Sequence, residues 1–396
     1  MCDLALFYLA RKVEGLDSFR RFVESYKAHP AGCPHQLVII YKGFEGQDDL
    51  DLIRANELFS EVTSDRSAVH VTDKHFDIGA YIQAAWHIDA KYVCFVNTHT
   101  DILADNWLAY LRNAIEDESV GVAGASASYE SLYDSLAVTT KAVWLAGIEC
   151  ISYDQKLAEH YDFILKIHVP HWLDGQPIKE HKHGHFYGVY LAEKWDAFWR
   201  STLEPGKENH FLTDFARFPN PHIRSNGFIV RRCDFLRFNV EPTKKSTYGF
   251  ESGPNGLSIT MLREGKRLVL IDRNGRCLDL EQWPSSGCFR SGNQENLMIA
   301  DNQTRSYDGL TTPEKDTHLM MSWGDSFKTV SGGYPLGFTF SMKRTKPLGS
   351  HETNSIPYIA DHLDYGVPHK FNYEGPGGSR WYIRDETVWP HPDIDH

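Results

Sequence analysis

Through residue 123 the chain alternates short, almost wholly apolar runs with longer segments whose apolar residues recur every three or four positions. Asp3–Ala10 (DLALFYLA), Gln36–Tyr41 (QLVIIY), Tyr92–Val96 (YVCFV) and Val120–Ala123 (VGVA) have strand length and no polar face. Such runs predict strands buried on both sides. A further short strand is expected within Glu61–Val71. Between them, Gly15–Ala28 carries Leu16, Phe19, Phe22, Val23 and Tyr26 close to helical spacing, which predicts a helix. Asp49–Phe59, Ile78–Ile88 and Asn106–Glu116 are predicted as helices on the same grounds. This alternation predicts an α/β fold, a Rossmann-like and mostly parallel sheet flanked by helices. Ligands of such sheets bind beyond the carboxyl ends of the strands. Polar residues just after Tyr41 and Val96 are therefore the first candidates for chemistry.

The pattern loosens over about residues 130–225, which are rich in His and Trp, and then returns. Gly227–Val230 and Leu268–Ile271 are predicted strands, and Ser258–Glu264 a predicted helix. From about Arg276 the chain is broken by SSG, SGN, SGG and PGG. The expected organisation is one domain over residues 1–275 and a loop-rich C-terminal extension over 276–396, serving acceptor binding or assembly into a homo-oligomer.

Composition narrows the function. The 396 residues carry a formal net charge of −12, a poor match for duplex nucleic acid or an anionic membrane. Aromatic residues are 13% of the chain, which suits stacking on bases or sugars and equally suits a large aromatic core. The seven cysteines (Cys2, Cys33, Cys94, Cys150, Cys233, Cys277 and Cys288) are scattered, with no CxxC pair. Reduced thiols and a cytoplasmic location are expected. The N-terminus MCDLALFYLARK lacks a basic leader, and no run nears the ~18 apolar residues of a membrane span. Membrane contact is expected to be peripheral at most.

The most informative segment is Tyr92–Leu111, YVCFVNTHTDILADNWLAYL. A buried strand runs straight into Asn97-Thr98-His99-Thr100-Asp101, and a helix follows. Polar residues there can hold a divalent ion and a diphosphate, with His acceptable to Mn2+. The segment resembles the metal-binding stretch of GT-A glycosyltransferases, especially the bacterial family 2 group. In that pattern an apolar strand is followed by Asp/Asn-x-Asp, two apolar residues and a helix with Trp-Leu. Asn97 takes the first motif position and His99 the last, as in the DxH form of some GT-A enzymes. Asp101 can lend a carboxylate. The resemblance, over about residues 1–275, implies a nucleotide-sugar donor, Mn2+ or Mg2+ at His99 and Asp101, and inverting transfer to a glycan or lipid-linked acceptor.

The same resemblance reaches four further places. His75–Ala85 (HFDIGAYIQAA) matches a stretch that faces the nucleotide, with Asp77 on the base or ribose and Gly79 allowing close approach; Asp77 as a plain N-cap is the simpler alternative. Lys42, after the second strand, sits where the family reads the base. Tyr8, Ala10 and Arg11, after the first strand, are expected to line the same pocket, as are Asn97 and Thr98. Phe250-Glu251-Ser252-Gly253 falls where the family has an acidic pair opening a helix. Glu251 is thus the candidate general base that deprotonates the attacking hydroxyl, or only a helix-start acid. His222 and Arg224 are candidates for acceptor or phosphate.

Two alternatives remain at this stage. A degenerate module of the same fold would bind glycan or nucleotide sugar without transfer, consistent with the missing Asp-x-Asp. A metal hydrolase would use His181, His183 and His185, which share one face of a strand, with His168 and His171 nearby. Trp283 with Phe289–Tyr307 (FRSGNQENLMIADNQTRSY) mixes amides, acids and aromatics that suit sugar hydroxyls or a structural turn. Asp361, His362, Asp364 and His369 form a polar cluster of unassigned role.

Overall fold

The computed structural model describes residues 3–46, 48–62, 66–133, 135–136, 139, 198, 201–202, 204–216 and 218–323, with strands at 372–374, 380–384 and 387–390. The chain forms two compact units, residues 1–128 with 221–310, and residues 129–220 with 311–396.

The first unit is an eight-stranded sheet. Its strands are β1 (Leu4–Arg11), β2 (Gln36–Lys42), β3 (Arg66–Val71), β4 (Tyr92–Val96), β6 (Val120–Gly124), β9 (Phe228–Arg231), β10 (Arg267–Ile271) and β11 (Cys277–Leu278). The spatial order is β11-β10-β6-β9-β4-β1-β2-β3. β3, β2, β1 and β4 pair in parallel, as do β6 and β10. β9 lies antiparallel between β4 and β6, and β11 is an antiparallel edge. The expected mostly parallel α/β sheet is therefore present. The reversal of β9 decides where the site forms. Phe228, its first residue, stands opposite Phe95 and Gly124 near the carboxyl ends of β4 and β6. The residues just before β9 thus arrive on the ligand-binding edge.

Alternation along the strands sorts the core into two layers. On one face Tyr8 stacks on Phe22 with ring centroids 3.8 Å apart, under α1 (Gly15–Ala28), α2 (Leu50–Ser60) and α4 (Trp107–Glu116). On the other, Phe7 and Tyr81 stack on Phe95 at 5.0 and 4.7 Å, and Phe235 packs against Phe95 at 4.6 Å. That layer comes from α3 (Asp77–Trp86) and α5 (Arg232–Phe235). α6 (Lys244–Ser252) and α7 (Leu257–Arg263) follow β9, and α8 (Asn302–Asp308) closes the unit.

The boundary drawn at 275 moves. β11 pairs with β10 across a tight turn, and β12 (Ile299–Ala300) pairs with β5 (Asp101–Ile102). Trp283, Phe289 and Met298 are wholly buried. Apolar anchors between the glycines hold residues 276–310 in the first unit; glycine and serine content alone suggested a loop-rich extension. The chain leaves this unit through β7 (Ala127–Ser128), which pairs with β8 (His222–Ile223) on the way back.

In the second unit Tyr129 packs against Phe218 and Trp323, and its N–H donates to the Ser322 carbonyl at 2.9 Å. The unit also holds α9 (Thr312–Trp323) and an antiparallel meander of β13 (Asn372–Glu374), β14 (Arg380–Arg384) and β15 (Thr387–Pro390). The histidines 168, 171, 181, 183 and 185, and the cluster at 361–369, lie outside the described residues. No helix among the described residues is long and apolar enough to cross a membrane.

Candidate functional site

The loops after β1, β2, β3 and β4 meet at the carboxyl edge of the sheet, and they meet through charge. Arg11, the last residue of β1, donates to Asp73 at 3.1 Å and to Glu14 at 3.3 Å. Lys42, the last residue of β2, has a buried side chain whose Nζ donates to Asp73 at 2.7 Å. Gly43 makes this approach possible. Its φ is +80°, and a Cβ there would come within 3.2 Å of the Asp73 Cβ. Hydrogen bonding from Arg11, with help from Lys42, holds the Asp73 carboxyl below its ordinary value. The start of α2 is tied to the same edge by Asp49, which accepts from Lys12 Nζ at 2.8 Å and from the Glu45 and Asp51 amides. Lys12 brings Asp49 down to about 2.

Asp77, four residues after Asp73, is pushed the other way. It is the first residue of α3, following Phe76 as N-cap, so it does not act as the cap itself. Its half-buried carboxylate accepts no hydrogen bond from any described residue. Burial raises its pKa, against the pull of Lys42, Arg11 and His99. Two carboxylates four residues apart are thus driven in opposite directions, a recurrent mark of a working site. Charged Asp77 costs the folded state at neutral pH, and the cost vanishes where the carboxyl is protonated in both states. Asp77→Asn is expected to raise the melting temperature at pH 7 by about 1–3 °C. The gain should fade as the pH drops through the carboxylate range, and a thermal unfolding series against pH checks it. A variant less stable than the parent at pH 7 would contradict this account.

The loop after β4 supplies the next groups. Asn97 Oδ1 accepts from the His99 amide at 2.9 Å, an Asx turn that aims the imidazole outward. His99 Nε2 lies 3.3 Å from Glu14 Oε2. Its acidic neighbour is therefore Glu14, not Asp101, whose backbone pairs with Ala300 in the β5–β12 ribbon. Among the described residues no group of three or more His, Cys, Asp or Glu side chains forms a metal cluster. The Glu14–His99 pair still fits a divalent ion that takes the rest of its shell from phosphate oxygens, the usual arrangement for Mg2+ with substrate phosphates, and a nitrogen donor suits Mn2+.

The same edge takes in three consecutive residues from the approach to β9. Arg224 donates to Gln303 at 2.7 Å. The Ser225 amide donates to Glu251 Oε1 at 2.9 Å. Asn226 Oδ1 accepts from the Asn97 amide at 2.8 Å and from Thr100 Oγ1 at 2.9 Å. One tripeptide therefore joins α8, α6 and the β4 loop. Arg305 of α8 adds a bond to the His99 carbonyl at 3.0 Å. Glu251 sits in the last turn of α6, with Gly253 as C-cap, and not at a helix start. The dipole disfavours a carboxylate there, so the dipole does not account for its presence. Burial raises the nearby Tyr248 hydroxyl, and Glu251 adds to the effect.

Several expected ligand contacts are filled by the protein itself. Tyr8 and Ala10 are wholly buried. Tyr8 faces α1 and donates to the Thr98 carbonyl at 3.0 Å, with burial holding its hydroxyl well above the ordinary value. Thr98 is buried between strands, donating to the Leu9 carbonyl at 2.6 Å and accepting from the Arg11 amide. Gly79 lies inside α3, where the His75 side chain occupies the space a Cβ would need; it makes room for His75, not for a ligand. His222 is buried in β8. Arg11, Lys42, Asp77, Asn97, His99, Arg224 and Glu251 remain at the edge. Glu14, Asp73, Asn226 and Arg305 join them without having been singled out. The Asn-Gly pair at 226–227 was the available signal, since Gly227 has φ +69°.

No protein-family model and no curated protein matches the chain. Solved structures do, at low levels. A mannosyltransferase, PcManGT from Pyrobaculum calidifontis in complex with GDP-Man and Mn2+, is 13% identical over 31% of this chain and 34% of that one, with a TM-score of 0.25. GalNAc-T7 with UDP, GalNAc and Mn2+ is 16% identical over 31% and 23%, with a TM-score of 0.25. A CMP:2-keto-3-deoxy-manno-octonic acid synthetase complexed with CTP is 12% identical over 31% and 51%, with a TM-score of 0.24. The chain thus spans 23–51% of the length of these proteins. Likeness at this level says nothing of activity.

Proposed function

We propose that the chain is a glycosyltransferase that takes a nucleotide-sugar donor where the carboxyl ends of β1, β2 and β4 meet the start of α3 and passes the sugar, with inversion, to an acceptor hydroxyl. The observation that carries this reading is the pair of carboxylates on that edge, Asp77 unbonded and Glu251 fixed by the Ser225 amide. Asp77 offers free acceptor oxygens to ribose hydroxyls or a base N–H. Glu251 takes the proton of the attacking hydroxyl as the new glycosidic bond forms and the bond to the diphosphate breaks on the opposite side.

The charge balance supports a metal. Arg11 and Lys42 face Glu14, Asp73 and Asp77, so this corner of the edge holds three carboxylates against two fixed cations. A diphosphate brings further negative charge to it. Glu14 and His99 are the residues that would hold a divalent cation, which when bound neutralises the leaving diphosphate. The second reading, binding without transfer, is favoured by one feature: Arg11 and Lys42 are already engaged by Asp73.

Thermal unfolding with nucleoside diphosphates and nucleotide sugars, with and without Mn2+, tests the donor reading. A base-selective ligand at about 100 times its Kd adds ~2.7 kcal/mol, a rise of roughly 5–10 °C. The shift should vanish with EDTA and in Asp77→Asn. No shift with any nucleotide would remove the donor reading.

A further inference from the structure

Arg224 and Arg290 converge on the same two neutral groups. Their guanidinium carbons lie 4.5 and 5.0 Å from the centre of the Phe289 ring. Both donate to Gln303 Oε1, at 2.7 and 3.4 Å. Arg224 forms an ion pair with no carboxylate among the described residues. Two like charges gathered on one amide oxygen repel each other, and for Arg224 an aromatic face and a neutral oxygen are only weak compensation. In a chain of net charge −12, carboxylates were abundant and none is used here for Arg224. Arg290 is also held at φ +44°, a region unfavourable to non-glycine residues, with its amide donating to Gln294 Oε1 at 3.1 Å. Such strain is retained where a side chain has to point a particular way. Arg224 and Arg290 are both half-buried, and their bonds to Gln303 are exposed to solvent.

The position gives this pair a use. Ser225, next to Arg224 in the chain, holds Glu251. We propose that Arg224 and Arg290 form an anion subsite that grips a phosphate group carried by the acceptor, setting its hydroxyl beside Glu251. The forked guanidinium matches a phosphate through paired hydrogen bonds, and Phe289 supports both forks from behind. The assignment to the acceptor rests on the reading of Glu251 as base; the anion subsite itself does not.

Calorimetric titration of glycerol phosphate into the full chain, with and without saturating nucleoside diphosphate and Mn2+, tests it. Binding should persist with the nucleotide present and weaken at least about tenfold in Arg224→Gln and in Arg290→Gln. Gln at 224 keeps a donor for Gln303, so unliganded melting temperatures should stay near the parent's. Unchanged binding in both variants overturns the proposal. So does displacement of glycerol phosphate by the nucleotide, which would place the phosphate at the donor edge. Binding of vesicles containing phosphatidylglycerol, lost in Arg224→Gln, in place of binding of glycerol phosphate, would support the subsite with a lipid-borne phosphate. Should no nucleotide bind while glycerol phosphate does, and Arg224→Gln loses it, the donor reading fails and the anion subsite stands.

Discussion

Glu251→Gln is expected to cut release of nucleoside diphosphate from the donor by about 10²–10⁴-fold, the range over which a positioned general base contributes, while donor binding stays as in the parent. The separation follows from how the residue is held. A glutamine oxygen can still accept the Ser225 amide, so the tripeptide that joins α6, α8 and the β4 loop keeps its anchor. What disappears is basicity. Turnover and donor affinity measured side by side decide the matter, together with the melting temperature. Turnover within about threefold of the parent would remove Glu251 from the chemistry. A parent chain that binds donor and never turns over would favour the binding module.

The other large effect is on stability. Asp73→Ala leaves the buried Lys42 ammonium without its carboxylate, and a buried charge stripped of its partner is costly. Asp73 itself is half-exposed, so solvent screens part of the loss. A destabilisation of about 2 kcal/mol at pH 7 is expected, or roughly 4–8 °C. Because Arg11 and Lys42 depress the Asp73 carboxyl, its contribution is complete above the ordinary carboxylate pKa and is lost as the pH falls through the depressed value. Asp73→Ala and Asp77→Asn should therefore shift the melting temperature in opposite directions at neutral pH and converge on the parent in acid. Adding Lys42→Met to Asp73→Ala should recover most of the loss. Strictly additive effects in that double-mutant cycle would show that the pair is not coupled.

The parallel strands were legible because burial on both faces leaves an unbroken apolar run, as in QLVIIY and YVCFV. The helices were legible from their periodicity, and Gly15–Ala28 has the bounds the spacing indicated. Strand direction was not legible. GFIV looks the same whether it runs with β4 or against it, and only the pairing of Phe95 with Phe228 reveals the reversal that brings Arg224, Ser225 and Asn226 to the edge. The expectation for Gly79 differs from what the structure shows, because the space beside a glycine can be taken by a side chain four residues away, here His75. Glu251 was placed at the wrong end of a helix because KKSTYGFES has no clean amphipathic period. Glu14 went unnoticed as one acid among many, and its contact with His99 spans most of a hundred residues.

The short ribbon of β7 and β8 has a consequence for how such a chain can change over generations. Ala127 faces Ile223 and Ser128 faces His222, so the exit and the re-entry of residues 129–220 are fastened side by side. Once two ends are held together, doubling the chain between them costs only ~0.6 kcal/mol. That stretch is a cassette. A change of length within it leaves the strand pairings of the sheet in place, provided the fastening is kept. Seven of the eleven groups at the edge, from Arg11 to His99, are encoded before that stretch, and four, from Arg224 to Arg305, after it. A change in the length of the intervening segment leaves both sets at their places on the sheet.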